Sequence, residues 1–68
     1  MGDSLGEALP NEMARVREVR DVYLLPEMNG KIAAGLMAAD LDAAAKAMVE
    51  GDVVAMARAY EALKGWQL

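Results

Sequence analysis

The segment from Lys31 to Val49 consists almost entirely of alanine, methionine, leucine, isoleucine and glycine. Alanine has the highest helix propensity of all residues, so the segment predicts a long helix. A helix that is apolar nearly all the way around is normally buried on every side. A chain of 68 residues has little other surface with which to cover it. The segment therefore predicts that the chain associates with itself, as a dimer or a larger oligomer, or with another protein.

The composition removes most routes to catalysis and to covalent or metal-based stabilisation. The chain contains no Cys and no His, which excludes disulfides, thiolate metal sites and the commonest general base. Its only hydroxyl side chains are those of Ser4, Tyr23 and Tyr60, which leaves little for nucleophilic catalysis. We therefore expect a non-enzymatic protein with no catalytic residue, no cofactor and no metal site.

Charge and hydropathy limit the classes of partner. The formal net charge of −4 argues against binding to nucleic acid. Charged residues interrupt the apolar segment at 40, 42 and 46, so we expect no transmembrane span and no membrane partner. No basic region precedes an apolar run near residue 1, so we expect no signal peptide. These features are typical of a cytoplasmic protein.

The start of the chain and the two prolines delimit the first helix. Residues 1–9 are predicted to be a flexible arm, because chain termini are loosely ordered unless they dock. Pro10 suits the first position of a helix, where its missing N–H has no intrahelical partner. Pro26 disfavours helical backbone at the residue before it. We predict a first helix at about 10–25 and a single domain over 10–68.

Cap residues delimit two further helices and complete an all-α prediction. Asn29 is a predicted N-cap for a second helix at about 30–50. Gly51 is predicted to end that helix in a left-handed conformation, and Asp52 to cap a third helix at about 52–64. We expect the last two helices to form an antiparallel hairpin, with the first helix packed across it.

Two charged residues fall on helix faces that are otherwise apolar. Arg20 lies on that face of the first predicted helix and Asp40 on that of the second. A buried charge is costly unless it is paired, so one interpretation is an Arg20–Asp40 ion pair, within or between chains. The alternative is that both charges reach solvent at the edges of loosely packed faces. Asp42 and Lys46 lie on the opposite side of the second helix, and we expect them to be solvated.

The second predicted helix also carries a strip of small residues at one per turn, which allows another helix to approach closely. This small-residue strip consists of Gly35, Ala39, Ala43 and Ala47. We expect it to seat a helix of the same fold, with Ile32 and Leu36 as further interface candidates. Trp66 follows Gly65, off the third helix, and is the candidate docking residue near the end of the chain.

Two resemblances bear on function. The segment Ala43–Leu63 resembles the inner half of a tetratricopeptide repeat, but repeat folds need several copies to bury a core, so it predicts only a tight helical hairpin. The blocks LPNEMARVREV at Leu9–Val19 and GDVVAMARAYEALKG at Gly51–Gly65 resemble short helical proteins encoded in bacteriophages and prophages of proteobacteria. That set carries no assigned activity, so the resemblance implies an origin and a bacterial cytoplasm but no residue roles.

From these features we expect a small protein-binding module, a phage or prophage accessory protein that engages one host or phage protein. Inhibition of a host component is a natural use for such a protein. The alternative is a structural or assembly component that acts as a small homo-oligomer.

Overall fold

A computed structural model describes residues 4–68 of the chain. Within that range the chain forms three α-helices, α1 (Leu5–Tyr23), α2 (Lys31–Glu50) and α3 (Val53–Lys64), and a short 3₁₀ turn (Pro26–Met28) between the first two. The predicted all-α class is confirmed for these residues. None of the described helices is both long enough and apolar enough to cross a membrane.

The three helices pack around one apolar core, to which each contributes one side. The buried side chains of the core cluster are Leu9, Met13, Val16 and Val19 of α1, Met37, Leu41 and Ala44 of α2, and Ala59 and Leu63 of α3. Tyr60 and Trp66 pack against this cluster from its edge. Because two of these nine residues, Ala44 and Ala59, are alanines, the helix axes can lie close together there.

α1 begins earlier than predicted, at Leu5 instead of Pro10. Leu9, which the sequence placed in a flexible arm, has no exposed surface. Burial of one leucine side chain contributes about 1.5–3 kcal/mol, which offsets part of the entropy of ordering the additional residues. Pro10 therefore lies inside α1, where it cannot donate to the carbonyl of Gly6. Residues 1–3 of the predicted arm lie outside the described range.

The connection from α1 to α2 differs from the prediction in its capping residue. Gly30 is the N-cap of α2, whereas Asn29 has a φ of 51° in the left-handed region, which asparagine visits more readily than most residues. The N–H of Gly30 donates to the carbonyl of Tyr23 at 3.2 Å. A Cβ at residue 30 would lie 2.7 Å from that carbonyl oxygen. This close approach to α1 requires glycine at residue 30. Gly30 is therefore the N-cap of α2, one residue later than predicted.

The connection from α2 to α3 follows the prediction. Gly51 has a φ of +66° at the end of α2. Asp52 is the N-cap of α3, and its Oδ1 accepts a hydrogen bond from the N–H of Ala55 at 3.1 Å. Both helices end within a residue of their predicted bounds. Local cap chemistry is therefore sufficient to place this turn.

We expect Gly51→Val to lower the free energy of unfolding by about 1–2 kcal/mol, because an L-residue pays that cost in left-handed backbone. Apart from the adjoining residues, no atom lies within 4 Å of a Cβ built at residue 51, so the loss comes from the backbone conformation and not from a clash with another part of the fold. Gly51→Asn is the matched control and is expected to lose less. Denaturant unfolding of both variants measures the difference, and equal losses would contradict a backbone origin.

Candidate interaction surface

α2 presents one side to the core and the opposite side to solvent. Its buried residues are Ala34, Met37, Leu41, Ala44 and Ala47. The opposite side, which we call the α2 outer face, carries Ile32, Gly35, Leu36, Ala39 and Ala43 together with the charged residues Asp42 and Lys46, all of them exposed. Ile32 is 85% exposed and Leu36 is 56% exposed. Two of the bulkiest side chains of α2 therefore lie in solvent while alanines fill part of the core.

The small-residue strip is divided between these two sides. Ala47 is 2% exposed and contributes to the buried side of α2, whereas the other three members of the strip are exposed. Within residues 4–68 no helix of this chain covers those three, so the expectation that the strip seats a helix stays a prediction about a partner. Met37 and Leu41 occupy the core side instead, because burying them removes more apolar area from water than burying alanine or glycine.

Further exposed aliphatic side chains lie near both ends of α2. Those before its first residue are Leu24, Leu25 and Met28, and those near its last residue are Val49, Val53 and Val54. Single exposed apolar residues are ordinary, but a concentration of them is typical of a protein-binding surface. The α2 outer face lies between these two groups along the chain and is the candidate functional site.

Asp40 is paired with Trp66 and not with Arg20. Trp66 Nε1 donates to Asp40 Oδ2 at 2.7 Å, and Trp66 is partly buried against the core. Arg20 Nη2 donates to Asp21 Oδ1 at 3.3 Å. The Arg20–Asp40 ion pair is therefore not formed within this chain. Trp66, the candidate docking residue, is partly buried against the core cluster and donates to Asp40, and a docking role for its exposed part stays a prediction.

The surroundings of Arg20 agree in part with each of the two interpretations, a buried charge and a charge that reaches solvent. Its side chain is 32% exposed, so part of the guanidinium reaches solvent beside Asp21. Its Nε atom, however, is buried and has no hydrogen-bond partner within residues 4–68. Asp42 and Lys46 are exposed, as predicted.

Arg15, which the sequence reasoning did not select, connects α1 to the end of α3. Its Nη1 donates to the carbonyl of Trp66 at 2.7 Å and its Nη2 to the carbonyl of Leu63 at 3.0 Å. The Leu63 carbonyl, in the last turn of α3, accepts from the N–H of Trp66 as well as from Arg15, and the Trp66 carbonyl lies beyond the end of the helix. Glu12 accepts from Arg15 Nε and Nη2 at 2.9 Å each. These hydrogen bonds hold the pKa of Glu12 below its ordinary value.

Tyr23 adds a second contact from α1 to the same segment, since its hydroxyl donates to the carbonyl of Gln67 at 3.1 Å. We call this set of contacts to Trp66 and Gln67, made by Arg15, Tyr23 and Asp40, the C-terminal clasp. It ties the residues after α3 to both other helices. The i,i+3 spacing of Glu12 and Arg15 was the one signal in the sequence, and it indicates only a local ion pair.

No other type of site stands out in the described residues. Within residues 4–68 there is no cluster of three or more acidic side chains arranged to hold a metal ion, and no ligand-sized pocket. Comparison of the chain with protein-family models, curated proteins and solved structures finds no match.

We expect a double-mutant cycle over Trp66→Phe and Asp40→Ala to give a coupling free energy of about 1.5 kcal/mol, the lower end for a hydrogen bond to a charged group. The partial exposure of the pair keeps the value low. The matched control is a cycle over Arg20→Met and Asp40→Ala, for which we expect no coupling. A larger coupling in the control than in the Trp66 cycle would contradict the geometry.

Proposed function

We propose that this protein is a small non-enzymatic protein-binding module that acts through the α2 outer face. The observation that carries the proposal is the exposure of Ile32 and Leu36 on a helix whose opposite side forms the core. The two residues are four apart, which is the spacing of neighbouring anchors when a helix docks into a groove or against another helix. Burial of each would contribute about 1.5–3 kcal/mol to binding.

The rest of the fold supports this role by holding the face in place. In this proposal α2 and α3 form an antiparallel hairpin joined at Gly51 and Asp52, and α1 packs across it. The C-terminal clasp ties the chain after α3 to α1 and α2. A rigid face loses less conformational entropy on binding than a flexible one, so binding is stronger for the same contacts.

The resemblance of Leu9–Val19 and Gly51–Gly65 to short phage proteins supports the biological setting. We propose that the protein is a phage or prophage accessory factor in the cytoplasm of a bacterial host. Its partner would be one host or phage protein, which binding would inhibit. In this setting we expect the protein to use no cofactor and to bind no nucleic acid.

A second candidate function is that of a structural or assembly component, a small homo-oligomer. The observation that favours it is the presence of exposed aliphatic side chains at both ends of α2 and beyond, including Val49 and Val53. An assembly subunit uses more than one apolar surface, whereas a simple binder needs one.

A pull-down from bacterial lysate with a tagged chain tests the leading proposal. We expect the wild-type chain to retain one protein at near-equal amount, and the Ile32→Gln/Leu36→Gln variant to lose it. Ala57→Gln is the control, because it places glutamine at an exposed residue of α3 outside the groups of exposed aliphatic side chains. Glutamine favours helix, so circular dichroism should show that all three chains are folded.

Retention of the same protein by the Ile32→Gln/Leu36→Gln variant would contradict the proposal. A large homo-oligomer with no retained protein would favour the assembly role instead.

A further inference from the structure

We propose that Arg15, Tyr23 and Asp40 form a peptide-binding site, which we call the clasp site, and that residues 65–68 of the chain occupy it as a displaceable internal ligand. The ligand that fits the site is a non-helical protein segment carrying a tryptophan. This inference goes beyond the proposed function, because it concerns a site other than the α2 outer face.

The clasp site contacts both the main chain and one side chain of its occupant. Arg15 and Tyr23 donate hydrogen bonds to the carbonyls of Trp66 and Gln67, and every peptide segment offers such carbonyls. Asp40 accepts a hydrogen bond of 2.7 Å from the indole N–H, which acts only as a donor. In peptide recognition, main-chain hydrogen bonds provide affinity and side-chain contacts provide specificity. The geometry therefore selects a segment with a tryptophan at the position of Trp66.

The clasp site keeps its shape without its occupant, because other parts of the fold hold its three side chains. Glu12 accepts two hydrogen bonds of 2.9 Å from Arg15, and these do not involve residues 65–68. Tyr23 packs against the core cluster, and Asp40 lies within α2. Side chains that are held in place before binding lose less entropy when a ligand arrives, so a preformed site binds more strongly.

Residues 65–68 are attached to the fold less firmly than the helices are. No residue after Leu63 belongs to the buried core cluster, and Trp66 packs against the edge of that cluster. Gln67 is exposed, and so is the hydrogen bond that it accepts from Tyr23. Segments with few buried contacts and exposed hydrogen bonds open at a lower free energy than the whole fold. The segment thus adds stability to the packed helices but leaves the clasp site without disrupting their core.

The occupant that displaces residues 65–68 is a segment of a partner protein and not the same segment of a second copy. A short tether holds the chain's own segment at an effective concentration in the millimolar range. An identical segment of a second copy makes the same contacts, so at micromolar concentration it does not compete. A longer partner segment adds contacts from its flanking residues, and these offset the advantage of the tether.

Binding of a fluorescein-labelled peptide with the sequence of residues 64–68, measured by fluorescence anisotropy, tests the proposal. The receptor is the 68-residue chain carrying Trp66→Gly, which vacates the indole position and leaves the buried core cluster unchanged. We expect this variant to bind the peptide at least about tenfold more tightly than the wild-type chain, because the tethered Trp66 competes in the wild type.

Changes on both sides of the indole hydrogen bond test its role. In the Trp66→Gly chain, Asp40→Ala should weaken peptide binding about tenfold, because the charged acceptor is lost. Asp42→Ala is the matched control, since it removes an exposed carboxylate from the same helix, and it should leave the dissociation constant unchanged. A peptide with phenylalanine in place of tryptophan lacks the N–H donor and should bind about tenfold more weakly. Asp40→Ala should remove that difference between the peptides.

Release of residues 65–68 in the wild-type chain is measured through Trp66, the single tryptophan of the sequence. Its emission should shift to longer wavelength at a lower denaturant concentration than the loss of helical circular dichroism, because the segment opens before the helices do. Coincident transitions would overturn the separate opening of the segment and with it the displaceable ligand.

The remaining outcomes are also decisive. A folded Trp66→Gly chain that does not bind the peptide at millimolar concentration would overturn the clasp site. A Trp66→Gly chain without helical signal would overturn it as well, because the segment would then be part of the core. A micromolar wild-type dimer that Trp66→Gly dissociates would identify a second copy as the occupant and overturn the partner segment. None of these results bears on capture of a lysate protein through Ile32 and Leu36, so the proposed function is tested separately.

Discussion

The burial of Met37 and Leu41 sets the orientation of α2, and the rest of the structure depends on it. An amphipathic helix is oriented by the contrast between its apolar and polar sides, but α2 has little contrast to use. The charged side chains of Asp42 and Lys46 supply what contrast there is, because they lie on the exposed side and Met37 and Leu41 lie opposite them. Once Met37 and Leu41 lie in the core, Ile32 and Leu36 are necessarily on the outside.

The hydrogen bonds of the C-terminal clasp stabilise this arrangement of the helices. Asp40 lies at the boundary between the buried side of α2 and the α2 outer face, where a carboxylate can be partly buried if it has a donor. The indole N–H of Trp66 is that donor. Arg15 holds the same segment through the carbonyls of Leu63 and Trp66. The hydrogen bonds thus join all three helices at one place.

Those parts of the fold that follow from local chemistry could be predicted from the sequence. Alanine propensity gives α2, and the caps at Gly51 and Asp52 give the turn to α3, because each depends on a few neighbouring residues. The start of α1 could not be predicted in this way, since it depends on the burial of Leu9 in a core made by the other helices. Asn29 was displaced as a cap by the close approach of Gly30 to α1, which is also a tertiary effect.

The candidate site likewise has features that neighbouring residues predict and features that depend on tertiary contacts. Periodicity identified Arg20 and Asp40 as charges on apolar faces, but it could not supply their partners. The partner of Asp40 comes from Trp66, which is distant in sequence and lies outside any helix. The exposure of Ile32 and Leu36 agrees with their selection as interface candidates, although the small residues beside them proved to face solvent and not a neighbouring helix.

The two-sided role of α2 is tested most directly by comparing two adjacent alanines, Ala44 with no exposure and Ala43 in solvent. Unfolding of Ala44→Gln and Ala43→Gln would be measured under dilution. Ala44→Gln should lower the free energy of unfolding by about 1–3 kcal/mol, because the core is overpacked. Ala43→Gln should change it by less than about 0.5 kcal/mol. A greater loss of folding stability at Ala43 than at Ala44 would contradict the assignment of the two faces.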